Sequence, residues 1–200
     1  MKLPENYYHN PDVVALSHDL IGKYLFTSID GDVTGGYIVE TEAYAGVIDK
    51  ASHSFGGRMT PRTQTMYMQG GVSYVYLCYG IHEMFNIVTS AEGTPHAILI
   101  RGIQPTDGLD VMMMRRNMET LKPNITKGPG SVARALGISR KINALSLQSD
   151  TIWVEDKGLI IPDDEVASGP RIGVGYAGDD ALLPYRFYVK GNIYVSKPNK

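Results

Sequence analysis

Only one cysteine, Cys78, stands in the 200 residues. That excludes an internal disulfide and a thiolate metal centre. In a reducing compartment it reads as a buried strand residue. No apolar run reaches the roughly 18 residues of a membrane helix. The opening Met1-Lys-Leu-Pro-Glu-Asn6 is polar and lacks a signal-peptide core. A cytoplasmic protein that does not enter a membrane is therefore expected. Charge is also scarce: a formal net charge of -2 does not advertise a nucleic-acid binder, although a local basic face would suffice for one. The five histidines, His9, His18, His53, His82 and His96, show no metal-ligand spacing. No Walker motif occurs, and no clear helix is expected after Gly173-Val174-Gly175, so neither a metal nor a cofactor is expected. Tryptophan occurs once and phenylalanine four times, against thirteen tyrosines. Tyrosine joins an apolar ring to a polar tip, which suits a wet, stacking surface.

What is present centres on Gly70 to Asn86. Tyr74 to Cys78 are β-branched, aromatic or apolar, which favours a strand. Met84 to Val88 reads as its return, so Tyr79 and Ile81 fall near a hairpin tip. Tyr74 and Tyr76 share one strand face, and Val75 and Leu77 take the other. Two phenol rings on one face and a third at the tip would suit a planar ligand; they would equally line an ordinary sheet.

Elsewhere, Asn10-Pro11-Asp12 reads as an N-cap, a first-turn proline and a first-turn acid, opening a helix that ends near Lys23. Leu25–Ile29 and Thr34–Glu42 form an expected hairpin around Asp30-Gly31. Residues 45–62 read as a long loop, a frequent home of function. A strand is expected over Ala97–Gln104. A helix follows Thr106-Asp107-Gly108, with Arg115 and Arg116 at its solvated end. Lys127-Gly-Pro-Gly-Ser131 precedes a short helix, Val132–Leu136, and reads as an ordinary helix start more readily than as a phosphate cradle. Further strands are expected near Thr151–Glu155, Arg171–Val174, Tyr185–Val189 and Ile193–Val195, and fraying over Lys197–Lys200. No boundary divides the chain, so one mixed α/β domain over 1–200 is expected.

Glu40 and Glu42 share a face if their strand stays regular, and an acid at a strand end before a loop can serve as a general base. His53, Arg58 and Arg62 follow in the loop. Composition and spacing do not select a reaction.

Taken together, Val39-Glu-Thr-Glu-Ala-Tyr44, Ala51-Ser-His-Ser54, Gly56-Gly-Arg58, Thr60-Pro-Arg62, Tyr74-Val-Tyr76 with Tyr79-Gly80, Asn86-Ile87, Leu99-Ile-Arg101, Gly128-Pro129, Arg171-Ile-Gly-Val-Gly175 and Arg186-Phe-Tyr-Val189 resemble the alkyladenine (3-methyladenine) DNA glycosylase family, the type without a helix-hairpin-helix. The resemblance spans nearly the whole chain. It implies an α+β fold: a single mixed domain with a curved antiparallel sheet, flanking short helices and a protruding β-hairpin. It also implies a monomeric, cofactor-free base-excision repair enzyme for double-stranded DNA containing damaged purines, nucleoid-associated if the source is prokaryotic, and without lyase activity. By motif position Glu42 would activate water, and Arg101 would support that water and a phosphate. Tyr44, His53 and Tyr76 would contact the extruded base. Asn86 would disfavour a 2-amino group, and Tyr79 would fill the gap in the duplex. Arg58, Arg62 and Lys127 would meet the DNA backbone. Tyr176 and Ile81 depart from the histidine and methionine of some members. A non-catalytic aromatic-hairpin binding module and a small-molecule hydrolase are the alternatives.

Overall fold

The computed structural model describes residues 1–197. Its frame is one antiparallel sheet of eight strands. β1 (Tyr24–Ile29) and β2 (Asp32–Tyr44) form the opening hairpin around Asp30-Gly31. β3 (Ser73–Cys78), β4 (His82–Thr89) and β5 (His96–Asp107) follow, then β6 (Ile152–Glu155), β7 (Val166–Gly169) and β8 (Arg186–Val189). The spatial order is β3-β4-β5-β2-β1-β6, with β8 joined to both β2 and β7. The long strand β2 is shared: Asp32–Tyr37 pair with β1, while Glu40–Glu42 pair with β8. This change of partner curls the sheet. Three α-helices cover it among the described residues: α1 (Val13–Asp19), α2 (Leu109–Arg116) and α3 (Pro129–Ala135). The α+β expectation therefore holds. Ile38, Ile87, Ile98, Ile100 and Ile103 from the strands meet Leu16, Met112, Val132 and Ala135 from the helices in one core.

Two departures from strand regularity matter for the site. Ile38 faces Ile103 and Glu40 faces Gly102, so Val39 is one extra residue on β2. Thr41 then faces Ile100, so Arg101 is one extra residue on β5. Bulges bend a strand and re-aim a side chain. Here the second one turns Arg101 toward both Glu40 and Glu42. Gly102 is required beside it, because a Cβ there would lie 2.9 Å from the Tyr194 carbonyl oxygen.

Several sequence expectations need correction. The first helix stops at Asp19, not Lys23, because Gly22 adopts φ +87° and hands its N–H to the Ile38 carbonyl. Its N-cap is Asp12, whose carboxylate accepts from the Val14 and Ala15 amides; Asn10 instead accepts from Asp12 N–H. Arg171–Val174 is not a strand, since Gly173 takes φ +79° and Arg171 turns inward. Ile193–Val195 is a turn closed by Val195 N–H on the Asn192 carbonyl. Two short 3₁₀ turns do occupy Gly175–Leu182, broken at Gly178, whose φ is +61°. Cys78 is half-exposed rather than buried, being the last strand residue before the tip. Arg115 is not a solvated helix end: it donates to the carbonyls of Ile29 and Ala135 and to Thr34, tying α2 to the hairpin and α3. Of the tail expected to fray, Lys197–Lys200, positions 198–200 lie outside the described residues.

Candidate active site

The 45–62 loop folds into short 3₁₀ turns against the concave side of the sheet. Between this loop and the β3–β4 hairpin lies a narrow recess. Tyr44, Ala51, His53, Tyr74, Tyr76 and Asn86 line it, with Tyr176 at its rim. It opens toward Tyr79, Arg62, Arg101 and Ile172. The face-sharing expected of Tyr74 and Tyr76 is what builds one wall, while Val75 points into the core. His53 stands edge-on to Tyr76, ring centroids 4.7 Å apart.

Burial, followed by the charges of Arg62 and Arg58, lowers the His53 pKa to about 4. The ring is therefore neutral near pH 7. Its Nδ1 lies 3.0 Å from the Tyr74 hydroxyl, and its Nε2 faces the Arg62 guanidinium at 3.5 Å. A guanidinium can only donate, so Nε2 accepts and the proton sits on Nδ1. Arg62 also covers the outer face of Tyr76, 4.9 Å from the ring centroid.

Glu42 lies behind the wall of the mouth, 0% exposed. Its three partners form that wall. Oε1 accepts from the Ile172 amide at 2.7 Å and meets Arg101 at 3.3 Å; Oε2 accepts from the Tyr44 hydroxyl at 2.8 Å. Burial pushes the Glu42 carboxyl above the usual carboxylate range, against the downward pull of Arg101, the Ile172 N–H and the Tyr44 hydroxyl. Glu40, on the same face as expected, is also fully buried. It takes the guanidinium groups of Arg101 at 3.1 Å and Arg186 at 2.7 Å, together with the Ser196 amide and hydroxyl. Glu40 thus anchors Arg101 from behind, and the charges of the two acids and two arginines cancel.

A second support was hidden from sequence reasoning. Arg171 grips Asp49 in a buried two-point pair and donates to the Ala43 carbonyl. Its guanidinium lies 4.8 Å from the centroid of the Tyr44 ring. The pair therefore braces Tyr44 and fixes the chain that presents the Ile172 N–H. Arg171 belongs to a stretch already matched to the family, but nothing in sequence spacing links it to Asp49, 122 positions away.

Of the residues expected at a site, the fold brings Glu42, Tyr44, His53, Tyr76, Asn86 and Arg101 around one recess, with Tyr79 and Arg62 at its mouth. Arg58 is exposed on the loop beside it. Lys127 is not brought there: its amino group donates to the Ile193 carbonyl, in a separate recess with Arg186 and Tyr188. Tyr176 was marked in the sequence only as a departure, yet it lines the recess. Among the described residues no group of three or more His, Cys, Asp or Glu could hold a metal ion. No helix there is long and apolar enough to cross a membrane.

An aromatic recess with a buried carboxylate behind its wall, beside a projecting hairpin, has the layout of an enzyme that takes in a flat heterocycle. The Methylpurine-DNA glycosylase (MPG) family profile matches residues 6–193, and the chain belongs to that family. A Bacillus cereus (strain G9842) protein named "Putative 3-methyladenine DNA glycosylase" is 42% identical over 209 residues, covering 98% of this chain and 100% of that one. A protein of the same name from Chlamydia felis (strain Fe/C-56) is 43% identical over 197 residues, covering 98% of each. The chain is accordingly a hydrolase of the 3-methyladenine DNA glycosylase type, acting on DNA in base-excision repair. The binding-module and small-molecule-hydrolase alternatives give way.

Proposed function

We propose that this chain, working as a monomer, flips an alkylated or deaminated purine out of duplex DNA and cuts its N-glycosidic bond with water activated by Glu42. The observation that carries the reading is the carboxylate's hydrogen-bond count. An ionised carboxylate offers about four acceptor positions. The Ile172 N–H and the Tyr44 hydroxyl occupy two, and the Arg101 guanidinium faces Oε1 as an ion pair, which leaves a position on Oε2 for a water proton. The water oxygen bonds to C1′ as the C1′–N bond breaks. The water proton passes to Glu42, and the bond electrons leave with the base. A cationic lesion such as 3-methyladenine departs neutral, and aromatic faces attract it beforehand. The neutral His53 suits such a guest, since an imidazolium would repel it. Arg58 and Arg62 are assigned to the DNA backbone, and Asn86 to rejection of 2-amino purines; Lys127, whose amino group serves the Ile193 carbonyl away from the mouth, is left out of that set. The test is incubation with duplexes carrying one defined lesion, followed by alkali cleavage of abasic sites.

Tyr79 is the proposed wedge. It is 89% exposed at the hairpin tip and adopts φ +50°, with Gly80 at +74°. A bulky residue in the left-handed region is uncommon, and strain of this kind gathers at functional sites. Extruding a base costs a few kcal/mol, and a stacked ring recovers about 1–3 kcal/mol. Tyr79→Ser should therefore slow excision roughly tenfold to a hundredfold for a lesion in a stable pair, and less for one in a mismatch. Its thermal midpoint should match the parent's. Equal slowing in stable pair, mismatch and single strand, with a lower midpoint, would make the residue structural.

No lysine lines the recess or its mouth among the described residues. Strand cleavage by a lyase step needs an amine to form a Schiff base. Borohydride should trap no covalent enzyme–DNA adduct; a trapped adduct would disprove the hydrolytic, lyase-free assignment.

A further inference from the structure

β3 is an edge strand of the sheet, and only part of its edge is closed. Ser73 N–H donates to the Leu145 carbonyl, Ala144 N–H to the Ser73 carbonyl, and Val75 N–H to the Asn143 side-chain oxygen. An antiparallel edge strand turns the amides of alternate residues outward. The Leu77 N–H therefore points the same way as those of Ser73 and Val75, and no described residue beyond the strand ladder accepts it.

This open stretch forms a recess of its own, lined by Arg62, Val75, Leu77, Arg140 and Asn143. Arg140 heads a short 3₁₀ turn, Arg140–Ile142, which the Ser73 hydroxyl ties to β3 by donating to the Ile142 carbonyl. The Arg140 side chain is 59% exposed, and its Nε meets Glu83 Oε1 at 3.2 Å. Its two Nη groups have no partner among the described residues. Two guanidinium groups and an outward amide thus share one concave surface, against the single carboxylate of Glu83. An arginine fork matches the oxygens of a phosphate, and a backbone N–H adds a further donor. The surroundings say whose phosphate. Arg62, Tyr76 and Leu77 line both this recess and the mouth of the active site, and Tyr79 follows Leu77 by two residues. The damaged nucleotide is drawn into the mouth, so a phosphate beside β3 belongs to a flanking nucleotide.

We propose that Arg140, with Arg62 and the Leu77 N–H, forms a binding site for one DNA backbone phosphate flanking the damaged nucleotide, and so sets the register of the duplex against the wedge. The site presupposes the glycosylase reading above. Arg140 has no part in the chemical step.

The test uses a duplex carrying one reduced abasic site, which offers no glycosidic bond to cut. Its Kd is measured between about 50 and 200 mM salt for the parent, Arg140→Ala, Glu83→Gln, the double variant and Lys157→Ala. Lys157 is the charge control, since it lies over Tyr24 and Phe26 toward the other side of the sheet. Arg140→Ala should weaken binding about five- to tenfold and lower the salt slope by about 0.9. The same loss should appear when Arg140→Ala is added to Glu83→Gln, and Lys157→Ala should change neither quantity. Neutral methylphosphonates placed one at a time around the site should reveal one position that weakens the parent and leaves Arg140→Ala unaffected. Unchanged binding by Arg140→Ala overturns the site. So does an equal loss in Lys157→Ala, which would assign the effect to net charge. A loss that vanishes in the Glu83→Gln background also overturns it, because Arg140 would then only neutralise Glu83. The absence of any methylphosphonate position with that behaviour does the same. All four leave the glycosylase reading intact, which is sunk separately if the parent releases no damaged base from the single-lesion duplexes.

Discussion

Glu42→Gln should release base about 10²–10⁴ times more slowly than the parent while binding lesion DNA within about a few-fold of it. The amide keeps the size of the carboxylate, and its oxygen can still accept from Ile172 N–H or Tyr44. It cannot take a proton from water. Near-parental turnover of a neutral lesion by this variant would end the general-base assignment. The parent's pH profile gives an independent check. The base must be ionised to act, and burial raises its pKa. The acid limb of kcat/KM should therefore lie above the ordinary glutamate value of about 4.3, with activity falling as pH drops through it. The sign for stability is the reverse of that of a salt-bridged surface acid. A raised folded pKa means the folded state binds the proton more tightly, so ionising Glu42 takes away stability as pH rises past its unfolded value. Glu42→Gln should accordingly leave the thermal midpoint at pH 7 no lower than the parent's.

The second large effect concerns stability. Asp49→Ala strands the Arg171 guanidinium, whose side chain is 0% exposed. Breaking one side of a buried pair costs about 3–5 kcal/mol. In a chain of this size that corresponds to a midpoint lower by about 10 °C. The loop also loses two anchors, because Asp49 accepts from the Ala45 and Ala51 amides. Asp150→Ala is the control. That residue meets Lys2 in full solvent, where a pair contributes little, and no measurable shift is expected. Calorimetry of the two variants side by side decides the matter: equal midpoints would show that the Asp49–Arg171 pair does not hold the loop.

The sequence was most legible where local chemistry governs. The tip of the β3–β4 hairpin could be read from the apolar run Tyr74–Cys78, its return at Met84–Val88 and Gly80 between them; that Tyr79 also takes positive φ could not be read there. The placement of Tyr74 and Tyr76 on one face follows from strand alternation alone. Glu42 became a candidate from its place at a strand end before a loop, Tyr44 and Arg101 through the family resemblance, and the fold then joined them. What stayed hidden depends on long-range register. The paired bulges at Val39 and Arg101 exist only when β2 and β5 are aligned, so no window of sequence shows that Arg101 will bridge Glu40 and Glu42. Arg171–Val174 looked like a strand because its apolar residues fit one; a buried partner on a distant loop bent it instead. Lys127 earned its place beside glycines, and only the fold shows that its amino group is occupied by the Ile193 carbonyl.

The network around Glu40 carries a consequence for how the enzyme is made. Glu40 sits on an early strand, but two of its partners, Arg186 and Ser196, lie far downstream. A ribosome delivers the chain from its N-terminus, and contacts so distant in sequence form late. While a nascent chain still lacks those residues, two carboxylates share Arg101 alone, and the acid behind the recess is not yet set. Most of the sheet can thus be laid down before the partners that fix Glu40 are present. The network around Glu40 closes only once β8 and the turn that follows it have been delivered.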